Sequence, residues 1–230
     1  MTSAVIVAAG KGTRMGPDVD KLFLEMAGRP VVAHTWQRFD KAACVDEIIL
    51  VVRDTMQPAF AELAKRFRFQ KPHRVVVGGK ERQDSVWNGL QSLDPAAEIV
   101  AIQDGARPCT SEKVIGDTVR AAREIGAAVA AQRVTDTIKE SDGDALVTRT
   151  VDRSKLWAVQ TPQAFRVEVI RRALSAVRQK GLLVTDDTAA CELIGQAVKL
   201  VECVAPNPKV TVAADLPYIE RVLLGVKSSA

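Results

Sequence analysis

Histidine, cysteine and aromatic side chains are scarce in this chain of 230 residues. Two histidines, His34 and His73, are too few for a histidine-built metal centre. The four cysteines (Cys44, Cys109, Cys191, Cys203) lie far apart with no C-x-x-C pair, which argues against a disulfide framework or a zinc ribbon and for reduced thiols. Any metal should then be a hard cation on carboxylate and phosphate oxygens, such as Mg²⁺. Aromatics make up 4% of the chain and interleave with no basic run, so a nucleic-acid surface is not expected. No apolar run approaches a membrane span, and the first residues carry no basic segment followed by a long apolar one, so the expected location is the cytoplasm. The formal net charge of +4 suits anionic small molecules without requiring nucleic acid.

What is present is most concentrated near the start. The apolar run Ala4-Val5-Ile6-Val7-Ala8-Ala9 reads as a buried strand, and it empties into Gly10-Lys11-Gly12-Thr13-Arg14-Met15-Gly16, with Lys21 beyond. Glycines let backbone N–H groups approach a ligand, and the cations add charge where phosphate would sit. The spacing is neither a Walker A loop nor the dinucleotide G-x-G-x-x-G, since Met15 stands where each needs glycine. A nucleotide phosphate site fits this loop, and so does an ordinary glycine-rich strand-to-helix turn; the clustered cations favour the former.

Along the chain, apolar strand-like runs alternate with helix-like segments. Strands are expected at Glu47–Val52, Arg74–Val77, Glu98–Ile102, Ala127–Ala131 and Val198–Val201. Helical faces fall on Val31, Val32, Trp36 and Phe39, with Pro30 suited to the first helical position. Others fall on Phe60, Leu63, Ala64 and Phe67, on Val86, Leu90 and Leu93, and on Val114, Ile115, Val119, Ala122 and Ile125, stopped by Gly126. Later helices are expected at Val169–Val177, after Thr185-Asp186-Asp187 with Thr185 or Asp186 as cap, and at Leu216–Leu224. This alternation implies one α/β domain over 1–230, a mostly parallel sheet with helices on both faces. It breaks at about 136–161, where Ile138-Lys139-Glu140, Asp142-Gly143 and Leu146–Val151 read as two antiparallel strands around a turn, an excursion or arm.

Ligands of open α/β sheets sit beyond the carboxyl ends of the strands. There this sequence places 10–21, Gly78–Ser85, Gln103–Pro108 and Asn207-Pro208-Lys209, a set rich in glycine, Arg and Lys with Asp104 among them. Asp104 ends an apolar strand, where a lone carboxylate is costly without a partner; it reads as a metal ligand or as a turn residue of Asp-Gly. Arg107 could pair with it or hold a second anion. Lys80, Glu81 and Arg82 read as a solvated charged turn, while Gly78-Gly79 and Ser85 could read a base. No nucleophile–base pair is apparent, which fits direct phosphoryl or nucleotidyl transfer.

These pieces resemble the 2-C-methyl-D-erythritol 4-phosphate cytidylyltransferases. The resemblance runs over nearly the whole chain through Ala8–Met15 with Lys21, Gly79–Val86, Asp104–Pro108, Asp136–Lys139, Thr150–Arg153 with Leu156-Trp157, Gln160–Gln163, Thr185–Asp187 and Asn207–Thr211. It implies a Rossmann-like fold and a reaction in which CTP and methylerythritol 4-phosphate give the CDP-linked alcohol and pyrophosphate, with Mg²⁺. It implies that Arg14 and Lys21 stabilise charge on the transferring and leaving phosphates and that Asp104 holds Mg²⁺. Ala8, Ala9, Gly10, Gly12, Thr13, Gly79, Arg82, Ser85 and Ala106 would bind the nucleotide. Lys209 would reach the α-phosphate and the incoming phosphate, and Thr137 and Arg153 would hold methylerythritol phosphate, with Arg107, Thr161 and Thr185 as further substrate contacts. Thr137 and Arg153 would arrive on the arm of a second subunit, so that the arm makes a homodimer.

Two positions depart from the family pattern. Gln103 stands where many relatives carry His and is expected to point away from the metal; Pro208 stands where an aliphatic residue is usual and could shift Lys209. The rival readings are a ribitol 5-phosphate cytidylyltransferase, a non-catalytic nucleotide-binding regulator and a nicotinamide dehydrogenase, the last disfavoured by Met15.

Overall fold

β-branched and alanine-rich runs supply the strands of one twisted sheet. The computed structural model of the chain describes residues 1–10 and 20–225. In chain order the strands are β1 (Thr2–Ala8), β2 (Glu25–Met26), β3 (Arg29–Pro30), β4 (Glu47–Val52), β5 (His73–Val77), β6 (Ile99–Asp104), β7 (Ala127–Arg133), β8 (Ile138–Ser141), β9 (Val147–Val151), β10 (Trp157–Arg166) and β11 (Lys199–Glu202). Seven of them form a sheet of order β11-β7-β10-β6-β1-β4-β5. Every pairing in it is parallel except those of β10, which runs antiparallel to both β6 and β7. This is the mostly parallel α/β sheet that the alternation of apolar runs implied, in the Rossmann-like form that the resemblance implied.

The helices are α1 (Val31–Lys41), α2 (Gln57–Phe67), α3 (Arg82–Gln91), α4 (Glu112–Ile125), α5 (Val167–Gln179), α6 (Asp187–Leu193) and α7 (Leu216–Leu223). Successive residues of a strand point to opposite faces, so each central strand serves two cores. Ala4, Ile6 and Ala8 of β1 face a cluster with Trp36 and Phe39 of α1, Phe60 of α2, Ile115 of α4 and Ile219 of α7. Val5 faces the other, with Leu90 of α3, Ile170 and Leu174 of α5, and Cys191 of α6. Helices therefore cover both faces. Capping follows the sequence signals: Gly126 ends α4 at φ +101°, and Asp186 caps α6 by accepting the Ala189 N–H at 2.9 Å. Pro30 sits at the N-cap of α1, one residue before the expected first helical position.

Two departures matter for the site. β10 is absent from the sequence expectation, yet it lies inside the sheet, between β7 and β6. Its Gln160, Thr161, Pro162 and Gln163 hide an apolar period, and the buried Thr161 and Gln163 are kept by hydrogen bonds to distant partners. The two expected arm strands are β8 and β9, paired antiparallel with each other and with neither neighbour in the sheet. Residues from Trp157 on belong to the sheet, so the segment that leaves it lies between Arg133 and Trp157. Nearly every residue of β8 and β9 is exposed, and Leu146 and Val147 at the tip are 66% and 61% exposed. Among the described residues no helix is long and apolar enough to cross a membrane.

Candidate active site

The chain leaves β1 towards β4 and β5 on one side and then returns to place β6 on the other. A crevice opens at such a switch point, beyond the carboxyl ends of the strands. The parallel register sets Val7 level with Asp104, so the loop after β1 and the end of β6 share one edge. A cleft of about 190 Å³ lies there, lined by Ala8, Ala9, Gly10 and Lys21, by Gly79 to Arg82 with Ser85, and by Asp104 to Ala106 with Lys209. A second cavity, about 290 Å³, adjoins it through Arg82, Asp104 and Lys209, and adds Arg107, Thr161 and Thr185. A larger cavity, about 730 Å³, is elsewhere, around Asp94, Ile99 and Arg166 at the opposite edge of the sheet. The cation-rich loops are not there, so the chemistry belongs to the smaller cleft.

Close backbone approach shapes the wall after β5. A Cβ on Gly78 would stand 2.4 Å from the Cβ of Ala9 and 2.8 Å from Ser85 Oγ, and one on Gly79 would stand 2.3 Å from Asp84 Cβ. Only glycine fits at either place. Gly79 N–H donates to Ser85 Oγ at 3.1 Å, which fixes the hydroxyl. On the facing wall Gly105 N–H donates to Val7 O at 2.9 Å and Thr35 Oγ1 donates to Gly105 O at 2.9 Å. Val210 N–H donates to Ala106 O at 2.8 Å, and Lys21 Nζ donates to Val210 O at 2.8 Å, so the segment bearing Lys209 is held against the cleft.

Asp104 is the electrostatic centre. Arg82 Nε lies 3.3 Å from Oδ1, Lys209 Nζ 2.7 Å from Oδ2 and Arg107 Nε 3.8 Å from Oδ2. Burial alone would raise the carboxyl; Arg82, then Lys209 and Arg107, hold it instead at about 2. The residue is therefore an anion at neutral pH. Arg107 also donates from Nη1 to Asn207 O at 2.7 Å. Both readings of Arg107, partner to Asp104 and holder of a second anion, remain compatible with that placement.

Arg82 corrects one sequence reading. Lys80 and Glu81 are exposed, but Arg82 is no solvated turn residue: its guanidinium folds inward to Asp104 and, through Nη1 at 2.8 Å, to the wholly buried Asp187. A buried carboxylate 105 positions away supplies the reason, and no local pattern could have announced it. The structure thus brings together Ala8, Ala9, Gly10, Lys21, Gly79, Arg82, Ser85, Asp104, Ala106 and Lys209 in the cleft, with Arg107, Thr161 and Thr185 beside it. Thr137 and Arg153 line neither cavity; both are exposed at the base of the arm, where Arg153 Nη1 donates to Thr135 O. Gly12, Thr13 and Arg14 lie outside the described residues.

A supporting polar layer escaped the sequence reading. Thr161 Oγ1 accepts the Asp104 N–H at 3.0 Å. Asn207 Nδ2 donates to Gln160 Oε1 and Thr161 O, and Gln163 links Gln160 O to Asp186 Oδ2. Gln103 points into this buried side, its Nε2 donating to Thr110 Oγ1 at 2.9 Å. Lys209 reaches Asp104 with Pro208 in place. Both histidines are engaged elsewhere: His34 Nε2 meets Met26 O at 2.7 Å, and His73 stacks edge-on against Trp36.

A Rossmann-like sheet whose carboxyl edge carries glycine walls and a cluster of cations around the ionised Asp104 is the arrangement of an α/β protein of the nucleotidyltransferase class. Comparison with known proteins narrows this. The family model of 2-C-methyl-D-erythritol 4-phosphate cytidylyltransferase matches residues 2–224, and the chain belongs to that family. It is 45% identical over 220 residues to the enzyme of that name from Geobacillus kaustophilus, covering 96% of both chains. It is 40% identical over 223 residues to the one from Alkaliphilus oremlandii, covering 96% of this chain and 94% of that one. Among solved structures it is similar to 4-diphosphocytidyl-2C-methyl-D-erythritol synthase from Anaerococcus prevotii, with a TM-score of 0.87 at 32% identity, covering 97% of this chain and 96% of that one. The cytidylyltransferase from Thermus thermophilus gives a TM-score of 0.79 at 30% identity, covering 96% and 98%.

Proposed function

We propose that the cleft transfers CMP from CTP to 2-C-methyl-D-erythritol 4-phosphate, releasing pyrophosphate, as the family name describes. One observation carries the reading: Lys21, Arg82 and Lys209 converge with Asp104 at the sheet edge, with no histidine at hand to activate a protein nucleophile. The chemistry that suits such a site is in-line attack by the sugar phosphate on the α-phosphorus. The new P–O bond forms as the bond to the β-phosphate breaks, and the displaced pyrophosphate carries the charge away. Lys21, with Arg14, would offset charge on the transferring and leaving phosphates, while Lys209 orients the incoming phosphate. Ser85 Oγ already accepts the Gly79 N–H, which leaves its own O–H to donate to cytosine beside the backbone of Ala8 and Ala9.

Asp104 fits a hard divalent cation. It is ionised, only 12% exposed and turned to the cleft. Mg²⁺ takes one or two carboxylates and completes its shell with phosphate oxygens and water. Among the described residues no group of three or more His, Cys, Asp or Glu gathers, so the triphosphate would supply the remaining protein-independent donors. Bound there, Mg²⁺ would neutralise phosphate charge.

The arm offers Thr137 and Arg153 to a second copy, which makes a homodimer the working assembly in this reading. Four free cysteines suit a reducing compartment, and the cytoplasm is the location we assign. The test is pyrophosphate release from CTP with Mg²⁺ and each candidate sugar phosphate. Release should need CTP, Mg²⁺ and methylerythritol 4-phosphate together; release with ribitol 5-phosphate instead would replace the acceptor in this proposal.

A further inference from the structure

Arg82 bridges two carboxylates in a geometry that leaves one of them, Asp187, only half satisfied. Nη1 meets Asp187 Oδ2 at 2.8 Å, and Nε meets Asp104 Oδ1 at 3.3 Å. Nη2 of Arg82 and Oδ1 of Asp187 are both buried without a hydrogen-bond partner. An end-on pair, with Nη1 and Nη2 on the two oxygens of Asp187, would satisfy both orphans at once. Unsatisfied buried groups are costly, so the bridge is held against a local gain. Asp187 is anchored from behind: it is the first residue of α6, and its N–H donates to Gln163 Oε1 of β10 at 3.1 Å. Its side chain is 1% exposed, and Arg82 is the one cation in ion-pair contact with it among the described residues.

We propose that Asp187 is a positioning residue for nucleotide binding, holding the Arg82 guanidinium in the wall shared by the two cavities and limiting its hold on Asp104. The inference rests on the cytidylyltransferase reading of the cleft. Without the buried carboxylate, Arg82 would turn both of its edges to Asp104, which already faces Lys209 and Arg107. The carboxylate would then be over-neutralised, and Arg82 would leave the wall where a phosphate meets it.

A double-mutant cycle on CTP affinity, read by calorimetry with Mg²⁺ present, tests this. D187N keeps the shape and removes the charge, and R82M removes the cation while keeping an extended side chain. D187N should weaken CTP binding about tenfold or more, equivalent to about 1.4 kcal/mol. In the R82M background the same substitution should change affinity less than twofold, because Asp187 acts through Arg82. A loss of equal size in both backgrounds would mean that Asp187 only supports α6, and an unchanged affinity in D187N would also overturn the proposal. If D187N does not fold, the pair can be removed together as R82M/D187L. Affinity equal to that of R82M alone supports the proposal, and a further tenfold loss overturns it. Wild-type protein that binds no CTP would sink the cytidylyltransferase reading and this inference with it, whereas failure of the inference alone leaves wild-type binding intact.

Discussion

Lys209 Nζ stands 2.7 Å from Asp104 Oδ2, so the cation we propose for a phosphate and the carboxylate we propose for a metal are paired with each other. Each must change partner for both ligands to bind. Lys209→Ala should therefore act with opposite signs on the two. The kcat/KM for methylerythritol 4-phosphate should fall on the order of a hundredfold or more. The Mg²⁺ concentration that half-saturates CTP binding should drop, since a competitor for Asp104 is gone. Steady-state kinetics and a Mg²⁺ titration read the two effects; weaker CTP binding with a normal sugar-phosphate KM would make Lys209 a nucleotide contact only.

Lys21 poses a question of ground state against transition state. It is tethered to Val210 O, in reach of the cleft but not on Asp104. If its charge serves the transferring and leaving phosphates, Lys21→Ala should cut kcat by a few kcal/mol of barrier, at least about a hundredfold, with a much smaller rise in the KM for CTP. Arg14→Ala should behave alike. A raised KM at normal kcat would reduce both to docking residues.

Acid should unpick the Asp104 cluster over a defined range. The carboxyl falls from 3.8 to about 2 on folding, held down chiefly by Arg82 and then Lys209 against the opposing effect of burial. A depressed folded value means that the stabilisation is complete above the unfolded value near 3.8 and is lost as pH falls through about 2. For the metal-free protein the amount is about 2 kcal/mol. Urea unfolding of wild type and Asp104→Asn gives it by subtraction, which also cancels much of Asp187, whose carboxyl burial pushes up and which acts with the opposite sign. The difference should be flat from pH 7 to 5 and shrink between pH 4 and 2. A difference that stays constant down to pH 2 would mean that Asp104 is not held ionised.

How much of this could be read from the sequence depends on how local each cause is. Strand runs such as Glu47–Val52 and the Asp104 that ends β6 carry their meaning in their neighbours: apolar residues fill a sheet buried on both faces, and a carboxylate at its rim needs a partner. β10 does not. Gln163 is 2% exposed because Asp186 and the Asp187 N–H satisfy it, so a buried strand reads as polar. Arg82 fails for the same reason, its partners lying 22 and 105 positions away. The glycine walls were legible as glycines, but which atoms they admit was not.

Those walls can be tested against a glycine that nothing crowds. Gly78→Ala drives a methyl into Ala9 and Ser85, whereas a Cβ at Gly116, inside α4, meets nothing within 4 Å. Gly78→Ala should destabilise by about 1–3 kcal/mol and weaken CTP binding through the displaced hydroxyl. Gly116→Ala should stabilise by up to about 1 kcal/mol with CTP affinity unchanged. Thermal melts and CTP titrations compare the two. Equal behaviour would show that the loop after β5 yields freely and that the close approach shapes nothing.

The arm yields the most decisive experiment. A two-stranded ribbon alone in water is marginal, and β8 and β9 bury almost nothing within their own chain. In the homodimer we propose, a second copy covers it, in a two-fold arrangement where each arm would reach the other subunit's cleft. Arg153, exposed at the arm's base and absent from both cavities of its own chain, would then complete the partner's site opposite Lys21. Lys21→Ala and Arg153→Ala homodimers should each be nearly inactive. In a mixed dimer one site carries both lesions and the other carries neither. After subunit exchange with random pairing, about a quarter of all sites should be intact, and pyrophosphate release should return to roughly that fraction of wild type. No recovery under conditions where exchange is demonstrated by a mass or fluorescence label would place Arg153 in its own chain's site and end the shared-site model.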